Sequence, residues 1–180
     1  MSVRRWTILL IAVNFIVFAL SLAQPGIADK YAMYAPAVKN GEWYRLITSC
    51  FLHAGWAHIL CNMWSLWSLA MLAQNYVGGT EYILVYLGAG VCGNLMTYFV
   101  ESYSGSYSMS LGASGAIFGI VGMLIALAVT GRARNLSAGR LVLGAVYMLI
   151  PGFVVSGISN TAHVGGLAGG FALTLLTSVL

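Results

Sequence analysis

The sequence predicts an all-α polytopic membrane protein with six transmembrane helices in a single domain. Hydrophobic residues make up 60% of the 180-residue chain and charged residues only 7%, and the mean hydropathy is +0.89. A water-soluble domain could not bury so much apolar surface. The apolar runs are long and continuous, whereas the strands of a transmembrane barrel alternate. Each span takes roughly 20 residues, so this length allows about six.

The apolar runs place the six helices, separated mostly by short loops. We predict them at about 6–23, 51–73, 82–100, 114–130, 141–155 and 161–180. The first run resembles a signal peptide, but it exceeds the usual apolar length of roughly 7–15 residues and further spans follow it, so we interpret it as an uncleaved helix. Residues 24–50 form the longest weakly apolar stretch. We expect a sizeable structured loop there.

The positive charges predict the orientation of the chain in the membrane. With the amino terminus inside, five positive side chains lie on the cytoplasmic side and three lie outside. The five are Arg4, Arg5, Arg132, Arg134 and Arg140, and the three are Lys30, Lys39 and Arg45. Both termini should therefore be cytoplasmic, as in an integral protein of a bacterial inner membrane. The net charge of +4 suits anionic membrane lipids and requires no nucleic-acid partner.

A serine and a histidine lie at the start of two apolar segments, and intramembrane polar groups are functional candidates. Ser114 begins the fourth predicted helix and His163 lies near the start of the sixth, while His58 and Asn62 lie in the first half of the second. These three helices run in the same direction, so their amino-terminal ends share one depth. We therefore expect the four side chains to line one pocket that opens to the extracytoplasmic side.

These residue types suit nucleophilic catalysis. A neutral imidazole activates a serine hydroxyl by taking its proton, and the resulting oxyanion needs fixed donors. Gly112 and Gly115 allow a tight turn with exposed N–H groups at a helix start. His58 and Asn62, at i and i+4, present two further donors from one helix face.

The third member of a catalytic triad is missing from the predicted spans. The four acids, Asp29, Glu42, Glu81 and Glu101, all map to loops or helix ends, so the sequence favours a Ser–His dyad whose imidazole is held by packing. Close helix approach is predicted by small residues, namely Gly115, Gly119 and Gly122 in the fourth helix and Gly166 and Gly170 in the sixth. We expect Ser114 and His163 to lie within hydrogen-bond distance.

No cofactor is needed for this chemistry, neither a metal nor ATP. Cys50, Cys61 and Cys92 lie in or beside apolar segments and are odd in number, so they predict no disulfide framework. A zinc site is a poor alternative, because the chain lacks a His-Glu-x-x-His run and any carboxylate or thiolate at ligand spacing.

Several spaced motifs make the chain resemble the rhomboid family of intramembrane serine proteases. They are Glu42-Trp43-Tyr44-Arg45, His53-Ala54-Gly55-Trp56-Ala57-His58 followed by Asn62, Gly112-Ala113-Ser114-Gly115, and Ala162-His163 with Gly166 and Gly170. Their order along nearly the whole chain makes the resemblance specific. It implies a minimal six-helix core.

The resemblance also implies roles for individual residues. Ser114 would be the nucleophile and His163 the general base, with His58, Asn62 and the Ser114 N–H as the oxyanion hole. Arg45 would brace the first loop, and residues 141–160 would resemble a mobile gate. The substrates would be single-span membrane proteins, cut near the outer end of their helix beside a small residue such as alanine. The scissile carbonyl must first be freed from its helical hydrogen bond, which costs less near helix-breaking residues.

Three positions depart from the common family pattern. Ser159 stands where many relatives carry an aspartate, Phe118 where some carry a tyrosine that packs on the histidine, and Tyr44 where a tryptophan commonly precedes the arginine. Phe118 can still stack on an imidazole, although it cannot donate a hydrogen bond. All reacting groups remain present.

Two alternative functions remain open from the sequence. A non-catalytic relative that binds transmembrane segments would normally lack Ser114 or His163, and this chain has both. A transporter would favour paired repeats or broken helices near the midplane, and neither is evident. His58 and Asn62 could also serve only as hydrogen-bonding residues between helices, and His53 is interpreted in that way or as a loop residue.

Overall fold

A computed structural model of the protein describes residues 1–154 and 158–177, and its regular structure is helical. The all-α class predicted from the sequence is therefore confirmed. The helices are α1 Val3–Ala23, α2 Ile27–Tyr31, α3 Ala35–Lys39, α4 Arg45–Thr48, α5 Trp56–Ala73, α6 Gly79–Ser104, α7 Ser114–Val129, α8 Ala138–Leu149, α9 Pro151–Val154 and α10 Asn160–Thr177. A 3₁₀ turn, Ser49–Phe51, follows α4.

Two helix boundaries differ clearly from those expected. The second predicted helix begins at Trp56 instead of residue 51, because Ser49–Phe51 forms the 3₁₀ turn and Gly55 is extended. The fifth ends at Leu149, and a separate α9 starts at Pro151. Proline lacks the N–H that would continue the helix. Residue 155 and residues 178–180, where we predicted helix, lie outside the described residues.

Two of the described helices, α1 and α6, are both long and apolar enough to cross a membrane by themselves. The others are shorter or less apolar. For example, α7 has 16 residues and is about 24 Å long at 1.5 Å per residue, less than the roughly 30 Å hydrocarbon core. The expected count of six spans is thus not established by helix length and hydropathy.

The centre of the molecule is α7, which is buried without interruption from Gly115 to Leu127. The most extensive helix pairings join α10 to α7 and to α6. On the other side of the bundle, α1 packs against α5 and α6, and the Thr7 hydroxyl donates to the Tyr82 hydroxyl at 3.2 Å. Because α5 and α6 also contact α7, this helix is enclosed by α5, α6 and α10.

Glycines allow α7 and α10 to approach each other closely. A Cβ on Gly166 would overlap the Gly115 carbonyl oxygen, and one on Gly170 would overlap the Gly119 carbonyl oxygen. On the α7 side, a Cβ on Gly122 would overlap the Leu167 carbonyl oxygen. Backbone atoms cannot move aside as a flexible side chain can. The small-residue pattern predicted from the sequence thus lies in a direct backbone contact between these helices.

The loop after α1 is ordered around the buried guanidinium of Arg45. Its Nη1 donates to the carbonyl oxygens of Asp29 and Ala32, both at 2.8 Å, and its Nε lies 2.7 Å from Glu42 Oε2. These bonds join α2 to α4 across some 13 to 16 residues of sequence. The structured loop expected over residues 24–50 therefore contains three short helices, and Arg45 joins the first of them to the third.

Candidate active site

Ser114 is the first residue of α7, and the backbone just before it makes a sharp turn at Gly112. Gly112 has a φ of +135°, a conformation that disfavours residues with a Cβ. A Cβ there would also lie 2.9 Å from His58 Nε2. Both constraints explain why glycine precedes the serine by two positions. The first N–H groups of α7, including that of Ser114, have no partner inside the helix.

The structure brings Ser114 and His163 together. Ser114 Oγ lies 2.8 Å from His163 Nε2, within the hydrogen-bond distance expected from the sequence. His163 is buried, with 4% of its surface exposed. It projects from the first turn of α10, which the glycine contacts hold against α7. The pair combines a hydroxyl and an imidazole in the geometry of a nucleophile and its base.

Two further side chains contact the His163 ring. Phe118, one turn after Ser114 on α7, stacks on it with ring centroids 4.4 Å apart and an interplanar angle of 13°. Asn160 Oδ1 lies 3.3 Å from His163 Nδ1. The stacking that we expected of Phe118 is present, whereas the contact of Asn160 was not predicted from the sequence.

His58 lies beside the serine turn, close to Gly112. Its Nδ1 accepts a hydrogen bond from the Ala54 N–H at 3.4 Å, which favours the tautomer with hydrogen on Nε2. The ring also meets the buried His53 edge-on, with centroids 5.0 Å apart. His53 therefore packs on His58, a contact that their spacing of five residues did not predict.

Asn62 lies on the same face of α5 as His58 and lines the same cavity. Its Nδ2 donates to the His58 carbonyl oxygen at 2.9 Å, so one amide hydrogen bonds within the helix. The second amide hydrogen remains available to a ligand. The cavity has a volume of about 260 Å³ and reaches from these residues past Ser114 and His163 to Pro151.

The two glycines that flank Ser114 contribute differently to the site. The Gly112 N–H donates to the Ser49 carbonyl oxygen at 2.9 Å and is therefore not free to bind an oxyanion. Gly115 faces the Ala162 carbonyl oxygen, and its own carbonyl oxygen lies against Gly166. Gly112 thus shapes the turn, while Gly115, Gly166 and Gly170 set the distance between the two helices.

Arg45 lies outside the cavity and supports the site indirectly. The loop that it braces pairs with the segment before Ser114 through two backbone bonds, Met33 N–H to Ser110 O at 2.9 Å and Ser110 N–H to Met33 O at 3.0 Å. A hydrogen bond from Tyr44, and to a smaller extent one from Arg45, lowers the pKa of the Glu42 carboxyl. The ionised carboxylate therefore keeps Arg45 and the loop in place over a wider pH range.

Several polar side chains for which the sequence predicted no role connect distant parts of the site. Asn94 of α6 donates to the Leu46 carbonyl oxygen at 2.8 Å and to Ser49 Oγ at 2.9 Å. Thr97 Oγ1 lies 3.2 Å from Ser159 Oγ and 2.9 Å from Thr161 Oγ1, which ties α6 to the start of α10. Polar residues within apolar helices were the available signal, but their partners are 45 to 64 residues away.

A metal site is not formed by the residues that the structure describes. Over residues 1–154 and 158–177, no three histidine, cysteine, aspartate or glutamate side chains come together in a way that could hold an ion.

Comparison with known proteins assigns the chain to a family. The sequence profile of the rhomboid domain matches residues 40–179, which include Arg45, His58, Ser114 and His163. Rhomboid protease GluP of Bacillus subtilis (strain 168) is 35% identical over 175 residues, covering 92% of this chain and 33% of GluP. The rhomboid-family protein YdcA of the same strain is 36% identical over 153 residues, covering 82% of this chain and 74% of YdcA.

A plant protein of the rhomboid group is also similar to this chain. RHOMBOID-like protein 5 of Arabidopsis thaliana is 32% identical over 140 residues, which cover 76% of this chain and 44% of that protein. The chain therefore spans a third of GluP and less than half of the plant relative. The resemblance stated from the motifs is confirmed, and the chain belongs to the membrane-embedded rhomboid family.

Proposed function

We propose that this protein is an intramembrane serine endopeptidase in which Ser114 is the nucleophile and His163 the general base. The observation that carries the proposal is the 2.8 Å contact between Ser114 Oγ and His163 Nε2 at the enclosed start of α7. The family assignment gives independent support, because relatives such as GluP are named as rhomboid proteases.

The reaction uses a Ser–His dyad. Ser114 Oγ attacks the carbonyl carbon of the scissile peptide bond while its proton passes to His163 Nε2. His163 then gives this proton to the leaving amine, and the acyl group stays on Ser114. A water molecule that loses its proton to His163 hydrolyses the ester and restores the hydroxyl. No metal or nucleotide takes part.

The oxyanion is stabilised by donors from α5 and from the start of α7. The Ser114 N–H, the Nε2–H of His58 and the second amide hydrogen of Asn62 supply three donors. The positive end of the α7 dipole adds to their effect. Because the Gly112 N–H is already bonded to Ser49, Gly112 acts through the shape of the turn.

The substrates are single-span membrane proteins, and the protein crosses the membrane six times through α1, α5, α6, α7, α8 and α10. Both termini are cytoplasmic in a bacterial inner membrane, and the site opens to the extracytoplasmic side among membrane lipids. The cavity beside α8 and α9 supports entry of the substrate from this flank, since Met148 and Pro151 form part of its wall.

A serine-reactive fluorophosphonate probe tests the chemistry separately from the natural substrate. The wild-type protein should be labelled at Ser114, and His163→Ala should reduce the labelling rate at least about a hundredfold, since a general base contributes 10²–10⁴-fold. Ser114→Ala should abolish labelling. Ser68→Ala, on an exposed position of α5, is the matched control and should label like the wild type.

Mass spectrometry of the labelled peptide identifies the modified residue. Modification of a serine other than Ser114, or equal labelling of the wild type and His163→Ala, would contradict the proposal. A folded protein that is not labelled at all would favour the non-catalytic function, in which the chain binds transmembrane segments without cutting them.

A further inference from the structure

The unassigned polar contact nearest to Ser114 and His163 is made by Asn160. Asn160 is the first residue of α10 and precedes His163 by three positions, so both side chains lie on one face of the helix. Its Oδ1 lies 3.3 Å from His163 Nδ1. This is the second ring nitrogen, opposite the one that faces Ser114.

The contact with Ser114 determines which ring nitrogen must carry the hydrogen. To accept the serine proton at Nε2, the neutral imidazole must hold its single hydrogen on Nδ1. His163 is buried, so this N–H needs a hydrogen-bond acceptor. Asn160 Oδ1 is the acceptor that the structure provides.

The Asn160 side chain is itself held in place by α9. A Cβ built on Gly152 would overlap the Asn160 amide, including Oδ1. The amide therefore occupies the space that glycine leaves open at position 152. Asn160 Nδ2 is buried and has no hydrogen-bond partner among the described protein groups, so the amide is not placed there to satisfy its own donor.

We propose that Asn160 is a positioning residue that accepts a hydrogen bond from His163 Nδ1–H and thereby holds the imidazole in the tautomer whose Nε2 faces Ser114. The kinetic consequence rests on the proposed protease function, whereas the tautomer does not. When His163 becomes protonated, the same bond keeps the ring oriented until the proton is transferred to the leaving group. This assigns the imidazole a polar partner in addition to the stacked Phe118.

The test is ¹⁵N NMR of the full chain, labelled at histidine and embedded in lipid nanodiscs. The chain has three histidines, and the His163 signals are assigned with His163→Gln. The ¹⁵N shifts report which ring nitrogen is protonated. We expect Nδ1–H in the wild type, a mixture of tautomers in Asn160→Leu, which removes the acceptor at similar volume, and Nδ1–H retained in Asn160→Asp.

Two further variants separate positioning from general effects on the helix start. Thr161→Val removes a neighbouring hydroxyl that bonds to Thr97 and should leave the His163 signals unchanged. Gly152→Ala displaces the Asn160 amide and should shift them as Asn160→Leu does. Wild-type signals in both Asn160→Leu and Gly152→Ala would overturn the proposal.

Kinetics give a second readout. Asn160→Leu should lower kcat about tenfold with KM unchanged, the effect of about 1.4 kcal/mol in the transition state, and Asn160→Asp should restore most of the loss. An equal loss in both variants would indicate a structural role only. If the wild type cleaves no substrate, the protease proposal fails, but the NMR result still decides the tautomer.

Discussion

Two neighbouring helices, α7 and α8, occupy very different environments. Every residue of α7 from Gly115 to Leu127 is buried, whereas Ala145 is the buried residue of α8. Both are apolar helices of fewer than 18 residues, so length and apolar character do not explain the difference. The difference lies in their packing, because α7 is enclosed by α5, α6 and α10 while α8 contacts mainly α7.

The contrast distinguishes a tightly packed part of the site from a loosely packed one. Ser114 and Phe118 belong to α7, and His163 is held against α7 by backbone contacts at glycines. A catalytic pair needs such fixed geometry, since small misplacements cost large factors in rate. The wall formed by α8 and α9 has fewer packed side chains, so its displacement costs less free energy. We expect substrates to enter there.

The largest difference in stability is expected when a glycine is replaced by a larger residue, once at the contact between α7 and α10 and once on α8. Gly166→Val should prevent folding, because its Cβ would overlap the Gly115 carbonyl oxygen. Gly144→Val on α8 should fold normally, since a Cβ there has no neighbour within 4 Å. Both changes alter the intrinsic helix propensity by the same amount. Thermal unfolding in detergent measures the difference, and equal unfolding temperatures would contradict the contrast.

Truncating a leucine in each helix should give a smaller difference in the free energy of unfolding, again with the larger loss in α7. Leu124 of α7 is 0% exposed and Leu143 of α8 is 54% exposed. Leu124→Ala should reduce the free energy of unfolding by about 2–4 kcal/mol, because a buried leucine leaves a cavity. Leu143→Ala should cost less than about 0.5 kcal/mol, as surface substitutions usually do. Reversible unfolding in mixed micelles measures both, and similar losses would show that α8 is packed as firmly as α7.

A third variant loosens the packing of the wall formed by α8 and α9 without touching Ser114 or His163. Leu149 packs against the cluster that includes Phe118, Val121 and Ala145. We expect the wall of α8 and α9 to admit a substrate when it moves away from α7. If Leu149→Ala weakens the packed arrangement by about 1 kcal/mol, the fraction of molecules with a displaced wall rises about fivefold. Cleavage of a transmembrane substrate should then accelerate by a similar factor, while labelling by the small fluorophosphonate should not change. Tyr147→Ala, at an exposed position of α8, is the control and should leave both rates as in the wild type.

The smallest effect is expected in the first loop, whose backbone pairs with the segment before Ser114. Because the folded-state pKa of Glu42 is lowered, the stabilisation by its carboxylate is present above the ordinary pKa and is lost as the pH falls through the folded value. Proteolysis of the loop should therefore increase in the wild type as the pH falls below 4.5, the ordinary pKa of this carboxyl. Glu42→Gln should remove this pH dependence. An unchanged dependence in the variant would exclude Glu42 as its source.

Sequence patterns predicted the features that repeat at helical spacing. The glycines of α7 and α10 and the positions of Ser114 and His163 at two helix starts could be read directly from the chain. Backbone contact between the two helices follows from the glycines, because only a missing Cβ permits it. The stacking of Phe118 was predicted from the family resemblance alone.

Contacts between residues far apart in sequence could not be predicted in the same way. Asn94 reaches Leu46 across 48 residues, and Arg45 binds the carbonyl oxygens of Asp29 and Ala32, which lie 16 and 13 residues before it. Asn160 was missed for a different reason, since it is close to His163 but lies in a turn-like Ser-Asn-Thr stretch that is also typical of a simple helix cap. Side-chain direction decides between these roles.

The most direct test of the central claim is cleavage inside a membrane. The purified protein is reconstituted in liposomes with a fluorogenic transmembrane peptide that carries alanine at the cut site, and the wild type is compared with Ser114→Ala and His163→Ala. We predict that the wild type cleaves the peptide and that both variants, folded as shown by thermal unfolding, do not. Equal cleavage by Ser114→Ala, or no cleavage of several such peptides by the folded wild type, would contradict the assignment of Ser114 and His163 as the catalytic pair of a protease.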